Sequence, residues 1–230
     1  MPLQSELITL RDQILSDLDS VDDYFIHSQA AWRIVTGKIE EGNAIKVRNY
    51  TTGSVITERE LPDRIQAYVS GYLAGSTFQQ SVSLFEDFVF GLLRIWLLSY
   101  PFRLERKQVP MSIILTATHL DDVKLGAVNR ELHELGYKKV RDWFAYLEDM
   151  AKLGCPTSDE IESLAEIKAT RDIFVHNRGV VSTIYEEKAG SKKRGNVGDR
   201  LDLTRSYHRR SWSLIRRVVS DMSAAAIAKS

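Results

Sequence analysis

The sequence predicts a mainly α-helical bundle, on three observations. Apolar residues recur at helical spacing over most of the chain; Leu3, Leu7, Leu10, Ile14, Leu15, Leu18, Val21, Phe25 and Ile26 form the first series. Start and stop signals bracket a later segment, Thr157 with Glu160 three residues on and Gly179 beyond its last apolar residues. Period-two alternation is confined to a stretch near residues 44–58, where a small β-hairpin is expected. The expectation is a single helical domain over 1–230 of about six to seven helices, with that hairpin inserted.

Each element has its own warrant. The first helix, with acids on its outer face, reaches roughly Thr36, and Gly37 and Gly42 bracket its exit. Ala44 to Tyr50 and Val55 to Thr57, joined through Gly53, make the hairpin, which reads as a surface excursion because two strands alone are marginal. Glu60 to Leu73 is a second helix with Pro62 near its first turn, and Gly71 and Gly75-Ser76 are expected to end it. Thr77 to Tyr100 is apolar nearly all round, the pattern of a central helix, with Glu86 and Arg94 as exceptions. Pro101 and Pro110 mark an irregular connection, followed by helices over Leu120–Leu135 and Val140–Leu153. A helix from Ser158 to Asn177 comes next, then a polar, Gly-containing run over 186–198 that reads as a mobile loop, then a last helix from Arg205 to Lys229.

Composition sets the outer limits. At 43% hydrophobic and 27% charged the chain can bury a substantial core. Its formal net charge is zero, but the charge is unevenly spread: residues 1–40 hold three Lys/Arg against seven Asp/Glu, and residues 171–217 hold twelve against five. A basic end on a neutral chain can still attract phosphates locally. The lone Cys155 excludes an intramolecular disulfide and a cysteine-cluster zinc site. Met1-Pro2-Leu3-Gln4-Ser5-Glu6 has no leader pattern, and no apolar run reaches the ~18 residues of a membrane helix. The expected setting is cytoplasmic, with no membrane partner.

The sharpest local signal lies in the helix opened by Thr157. At about 100° per residue, Phe174, Ile167, Leu164, Val175, Ile161 and Ala165 share one arc, and Arg171 falls inside it. An arginine in an apolar stripe is either part of a buried ion pair or a functional group. Glu86 is either a bland acid or the group that braces Arg171. Asp172 and His176 stack at the edge of the arc as an i,i+4 pair.

Arg171-Asp172, three apolar residues, then His176-Asn177-Arg178-Gly179 resembles the Arg-x4-His motif of HEPN domains. Phe85-Glu86-Asp87-Phe88 is similar to an earlier core helix of that family, and Trp143-Phe144-Ala145-Tyr146-Leu147 to the helix leading into the motif helix. The resemblance implies a metal-independent endoribonuclease with motifs paired at a homodimer cleft. It also implies a toxin or anti-phage effector role, with an antitoxin or defence-system partner. Two departures stand out: Asp172 where the family often has Asn, and Arg178 where one antitoxin-regulated subtype has Tyr. Non-catalytic HEPN modules that bind RNA or protein are the alternative.

The residues themselves suit that chemistry. The chain lacks a phosphate-cradling Gly-Lys-Ser/Thr loop, a Gly-x-Ser-x-Gly elbow, a His-Glu-x-x-His pair and a dense carboxylate cluster. Neither a metal nor a cofactor is expected. An imidazole exchanges protons near neutral pH, and a guanidinium holds phosphate oxygens as charge builds on them. Arg171, Asp172 and His176 are thus the candidate catalytic group, Asp172 orienting the imidazole. Asn177, Arg178, Lys192, Lys193 and Arg194 are the candidate RNA contacts.

Overall fold

The computed structural model describes residues 3–105 and 107–230; Met1 and Pro2 of the N-terminal stretch read above lie outside them. Its first helix, α1 (Leu3–Glu40), is longer than its periodicity suggests. The buried residues of its first seven turns, Leu7 to Phe25, face the core. Its last turns carry Trp32, Val35 and Ile39 onto a separate apolar cluster of Ile56, Leu61 and Ile65. The hairpin, β1 (Val47–Arg48) and β2 (Val55–Ile56), is antiparallel with Val47 opposite Ile56. It is therefore more than a surface excursion, because Ile56 closes this small second core with α2 (Leu61–Ala67).

The glycines expected to end the second helix do not end it. After α2 the chain widens into a π-helical stretch, Tyr68–Leu73, and runs straight into α3 (Ala74–Ser99). Ala74 N–H still donates back to Val69. Gly71 and Gly75 each cost the helix about 1 kcal/mol relative to Ala. Burial of Ala74, Thr77 and Phe78 in the bundle outweighs that cost.

The central place of α3 is as expected. Phe78, Val82, Phe85, Phe88, Val89, Leu92, Leu93, Trp96 and Leu97 are buried on several of its faces. Around it pack α1, α5 (Leu120–Gly136), α6 (Val140–Ala151), α7 (Ser158–His176) and α9 (Arg205–Ile227). Indole N–H groups tie neighbouring elements together: Trp96 to the Met150 carbonyl at 3.2 Å, Trp143 to Leu135 at 2.8 Å and Trp212 to Leu18 at 3.0 Å. Each satisfies a buried donor that otherwise carries a desolvation cost.

Two short helices lie outside the expected set. One is α4 (Met111–Thr116), inside the Pro-flanked connection. The other is α8 (Thr183–Ala189), followed by a 3-10 turn at Gly190–Lys192. The segment read as a mobile loop thus begins in a helix. Ser182 caps that helix, its hydroxyl accepting from Tyr185 N–H, and Tyr185 and Ala189 are buried against α7. Polar composition signalled a loop, but two buried side chains and a cap are enough to dock about two helical turns. No helix among the described residues is long and apolar enough to cross a membrane.

Candidate functional site

Helix α7 carries the motif, and both its ends are built as the sequence indicates. Thr157 Oγ1 accepts from Glu160 N–H at 3.4 Å while the Glu160 carboxylate accepts from Thr157 N–H at 2.9 Å, a reciprocal capping box. The backbone N–H of Thr157 holds the Glu160 carboxyl below its ordinary pKa. At the other end the N–H groups of Asn177 and Gly179 both donate to the Ile173 carbonyl, at 2.8 and 2.9 Å. The left-handed turn is shared by Arg178 (φ 51°) and Gly179 (φ 79°) rather than falling on the glycine alone. A Cβ on Gly179 would lie 3.2 Å from the Phe174 ring and 3.3 Å from the Leu201 carbonyl, so the site is tight as well as left-handed.

Arg171 is braced inside its own chain. Its guanidinium lies 3.1 Å from Glu86 and 3.4 Å from the Ser83 hydroxyl, both on α3, and 3.2 Å from Asp172. Lys168 joins them, with its ammonium 3.0 Å from Glu86 and 3.1 Å from Asp172. Lys188, on α8, approaches the other Asp172 oxygen at 3.2 Å. The result is a half-buried cluster of three cations and two carboxylates. Burial pushes the Asp172 carboxyl up, but the neighbouring Lys168 and Lys188 ammonium groups outweigh it and hold the pKa below its ordinary value.

His176 stands one turn beyond Asp172 and is exposed. Asp172 is engaged with Lys168, Arg171 and Lys188, and His176 makes no hydrogen bond or ion pair among the described residues. The orienting bond expected from Asp172 to the imidazole is therefore absent. Arg171 and His176, five residues apart, diverge by about 140° around the helix. Asn177 and Arg178 are exposed beside His176, and the Asn177 amide donates to the Val180 carbonyl at 2.7 Å.

The apolar arc read from the sequence also needs correction. Val175 is 44% exposed, whereas Ala169, Thr170 and Ile173 are buried. Packing of α8 against α7 supplies the reason: it gives the helix a second buried side, which a single-stripe reading cannot contain.

Of the three basic residues after α8, Lys192 pairs with Asp159 and Lys193 with Glu186 at the surface. Arg194 turns inward. Its Nε donates to Glu166 at 2.9 Å and its Nη2 to Thr170 Oγ1 at 3.3 Å, and its guanidinium lies 3.5 Å from the centroid of the Tyr207 ring. Glu166, 5% exposed, also accepts from Thr170 at 2.6 Å, Tyr185 at 3.0 Å and Tyr207 at 2.8 Å. Burial, and then the Glu166 carboxylate, push the Tyr207 hydroxyl's pKa up, so it remains a donor. Arg194 thus fastens the 180–203 segment to α7 and α9.

Glu166 was not recoverable from local sequence. It sits between the core residues Ala165 and Ile167, and three of its four donors come from far along the chain. Thr170, one turn on, was the only nearby signal. Among the described residues no group of three His, Cys, Asp or Glu side chains is placed to hold a metal ion. Comparisons with protein-family models, curated proteins and solved structures find no match for this chain.

Proposed function

We propose that this protein acts on RNA as a HEPN-type, metal-independent endoribonuclease, in a toxin or defence role, with His176 as its proton-transfer group. The observation that carries the reading is the contrast along one stripe of α7. Lys168 and Asp172 are engaged in ion pairs, while His176, next on the same stripe, is exposed and has no hydrogen-bond or ion-pair partner among the described residues. An imidazole with both nitrogens available can take the proton of a ribose 2′-hydroxyl. The 2′-oxygen then attacks the adjacent phosphorus, the P–O5′ bond breaks, and the 5′-oxygen leaves with a proton. The products are a 2′,3′-cyclic phosphate and a 5′-hydroxyl.

Arg178 and the partly exposed Lys188 are the cations best able to meet the phosphate, with Arg171 held behind them by Glu86. One imidazole supplies one proton position at a time. A two-fold pairing of α7 ends would bring a second, and the homodimer belongs to this proposal.

A second reading has one specific observation in its favour. Arg171 finds its acid on α3 of the same chain and its side chain is only 21% exposed, as expected of a structural ion pair in a non-catalytic RNA- or protein-binding module.

RNA cleavage in EDTA by the purified protein separates the two. For the nuclease, His176→Ala lowers the rate by ~10²–10⁴ while the far-ultraviolet circular dichroism is unchanged. Cleavage by His176→Ala at the wild-type rate would sink the nuclease reading; RNA binding without cleavage by the wild type would favour the module.

A further inference from the structure

Just before the start of α3, three aromatic rings stand in series. Trp32 of α1 and Tyr68 of the π-helical stretch have centroids 6.3 Å apart, and Tyr68 and Tyr72 are 6.4 Å apart, with successive rings tilted by 50° and 55°. Tyr68 is 37% exposed and Tyr72 77% exposed. Beside them runs a groove of about 460 Å³ that Trp32, Arg33 and Arg205 help to line. Arg33 and Arg205 are exposed and form no ion pair among the described residues, against one lining carboxylate, Glu40.

The placement relative to the motif follows from the ion pairs. Arg171 reaches Ser83 while Lys168 reaches Glu86, so α7 and α3 run antiparallel and His176 lies toward the start of α3. Tyr72 lies two residues before that start. A six-residue π-helical stretch is unusual in a soluble bundle, and such turns often sit at functional sites. This one sets Tyr68 and Tyr72 side by side, Tyr68 partly covered by Trp32 and Tyr72 open to solvent.

We propose that Trp32, Tyr68 and Tyr72, with Arg33 and Arg205, form a stacking platform for single-stranded RNA, leading the strand toward the motif end of the bundle. The inference rests on the RNA reading above and adds where the strand lies. Ring faces accept any base, and guanidinium groups meet the backbone between bases, the usual division of labour in sequence-tolerant single-strand binding. A duplex, whose bases are already stacked, offers these rings no free base faces.

The test uses the full chain and an uncleavable 2′-O-methyl single-stranded oligonucleotide, followed by fluorescence anisotropy. Tyr72→Ala and Tyr68→Ala should each weaken binding about tenfold, within the range measured for base–aromatic stacking. Tyr72→Phe should bind like the wild type, because the ring and not the hydroxyl is used. The Arg33→Ala, Arg205→Ala double variant should lessen the log–log salt slope by roughly 0.7 per lost contact. Equal affinity for single-stranded and duplex RNA, wild-type affinity in Tyr72→Ala, or failure of Tyr72→Phe to bind like the wild type would each overturn the platform. RNA cleavage that persists alongside unchanged binding in Tyr72→Ala would leave the nuclease reading standing and remove only the platform. Ring-dependent binding with no cleavage would keep the platform and remove the nuclease.

Discussion

Replacing Glu166 tests how the second half of the chain is held. The carboxylate is buried and accepts from Thr170, Tyr185, Arg194 and Tyr207. In Glu166→Ala the guanidinium of Arg194 loses its counter-ion, and three largely buried hydroxyls, of Thr170, Tyr185 and Tyr207, lose an acceptor. Removing one partner of a buried pair costs ~3–5 kcal/mol. Because the Arg194 side chain is 24% exposed, the lower end of that range applies. Each stranded hydroxyl adds about 1 kcal/mol, less whatever water recovers. A total of about 4–6 kcal/mol is expected, a large part of the ~5–15 kcal/mol available to a domain. Glu166→Gln keeps an acceptor for three of the donors, and the Tyr207 hydroxyl can rotate to accept from the new amide. Only charge assistance is then lost, about 1–2 kcal/mol. Urea unfolding read by circular dichroism gives both values from the midpoint and slope. Loss of less than about 1 kcal/mol in Glu166→Ala would refute the assignment of Glu166 as the anchor of this segment.

Other outcomes follow from single features. Burial lowers the pKa of His208, which stacks on Phe25 at 4.0 Å and bonds Thr77 at 2.9 Å, to about 4. The unfolded chain therefore binds the extra proton between about pH 6.5 and 4, and stability falls as pH falls through that window, by up to about 3 kcal/mol; His208→Gln should flatten the dependence in urea titrations at each pH. Gly190, at φ 60°, would place a Cβ 2.5 Å from the Arg141 guanidinium that clamps Glu162, so Gly190→Ala should lower the melting temperature by several degrees. Thr157→Ala removes the cap of α7 and should cost about 1 kcal/mol in the same unfolding assay. Lys192 and Lys193 pair at the surface, so replacing both with Ala should change stability by under about 1 kcal/mol while reducing the salt dependence of RNA binding; an unchanged salt slope would remove them from the RNA surface.

Elements dictated by local chemistry were legible in the sequence. The Thr157–Glu160 box, the all-round apolar α3 and the Gly53 hairpin each carry their instruction within a few residues. What escaped was decided at a distance. Helix α8 forms because Tyr185 and Ala189 find a pocket on α7, although the surrounding composition is that of a loop. The glycines at 71 and 75 do not break the helix: Gly75 lies among the buried Ala74, Thr77 and Phe78, and Gly71 is carried in the exposed π-helical stretch that leads into them. Of the candidate site, Arg171 and His176 stand on the helix end where periodicity placed them. The partner of Arg171 was named among two possibilities, and the structure provides the ion pair. The orienting role given to Asp172 failed because Lys168 and Lys188, one of them on the unforeseen α8, claim its oxygens. Arg194 was read by its charge, yet its position is decided by Glu166 and Tyr207.

Helix α1 belongs to two cores. Through Phe25 it packs into the main bundle, and from Trp32 onward it packs on the small cluster of Ile56, Leu61 and Ile65. Three buried aliphatic side chains contribute only several kcal/mol before the entropy of ordering the hairpin is set against them. This end should therefore open as a separate cooperative unit, its amides exchanging with solvent at far lower free energy than those of α3. Trp32 and Tyr68 ride on that unit. A ligand that spans their rings would first slow exchange around Ile65 and only later raise the temperature at which the whole bundle melts.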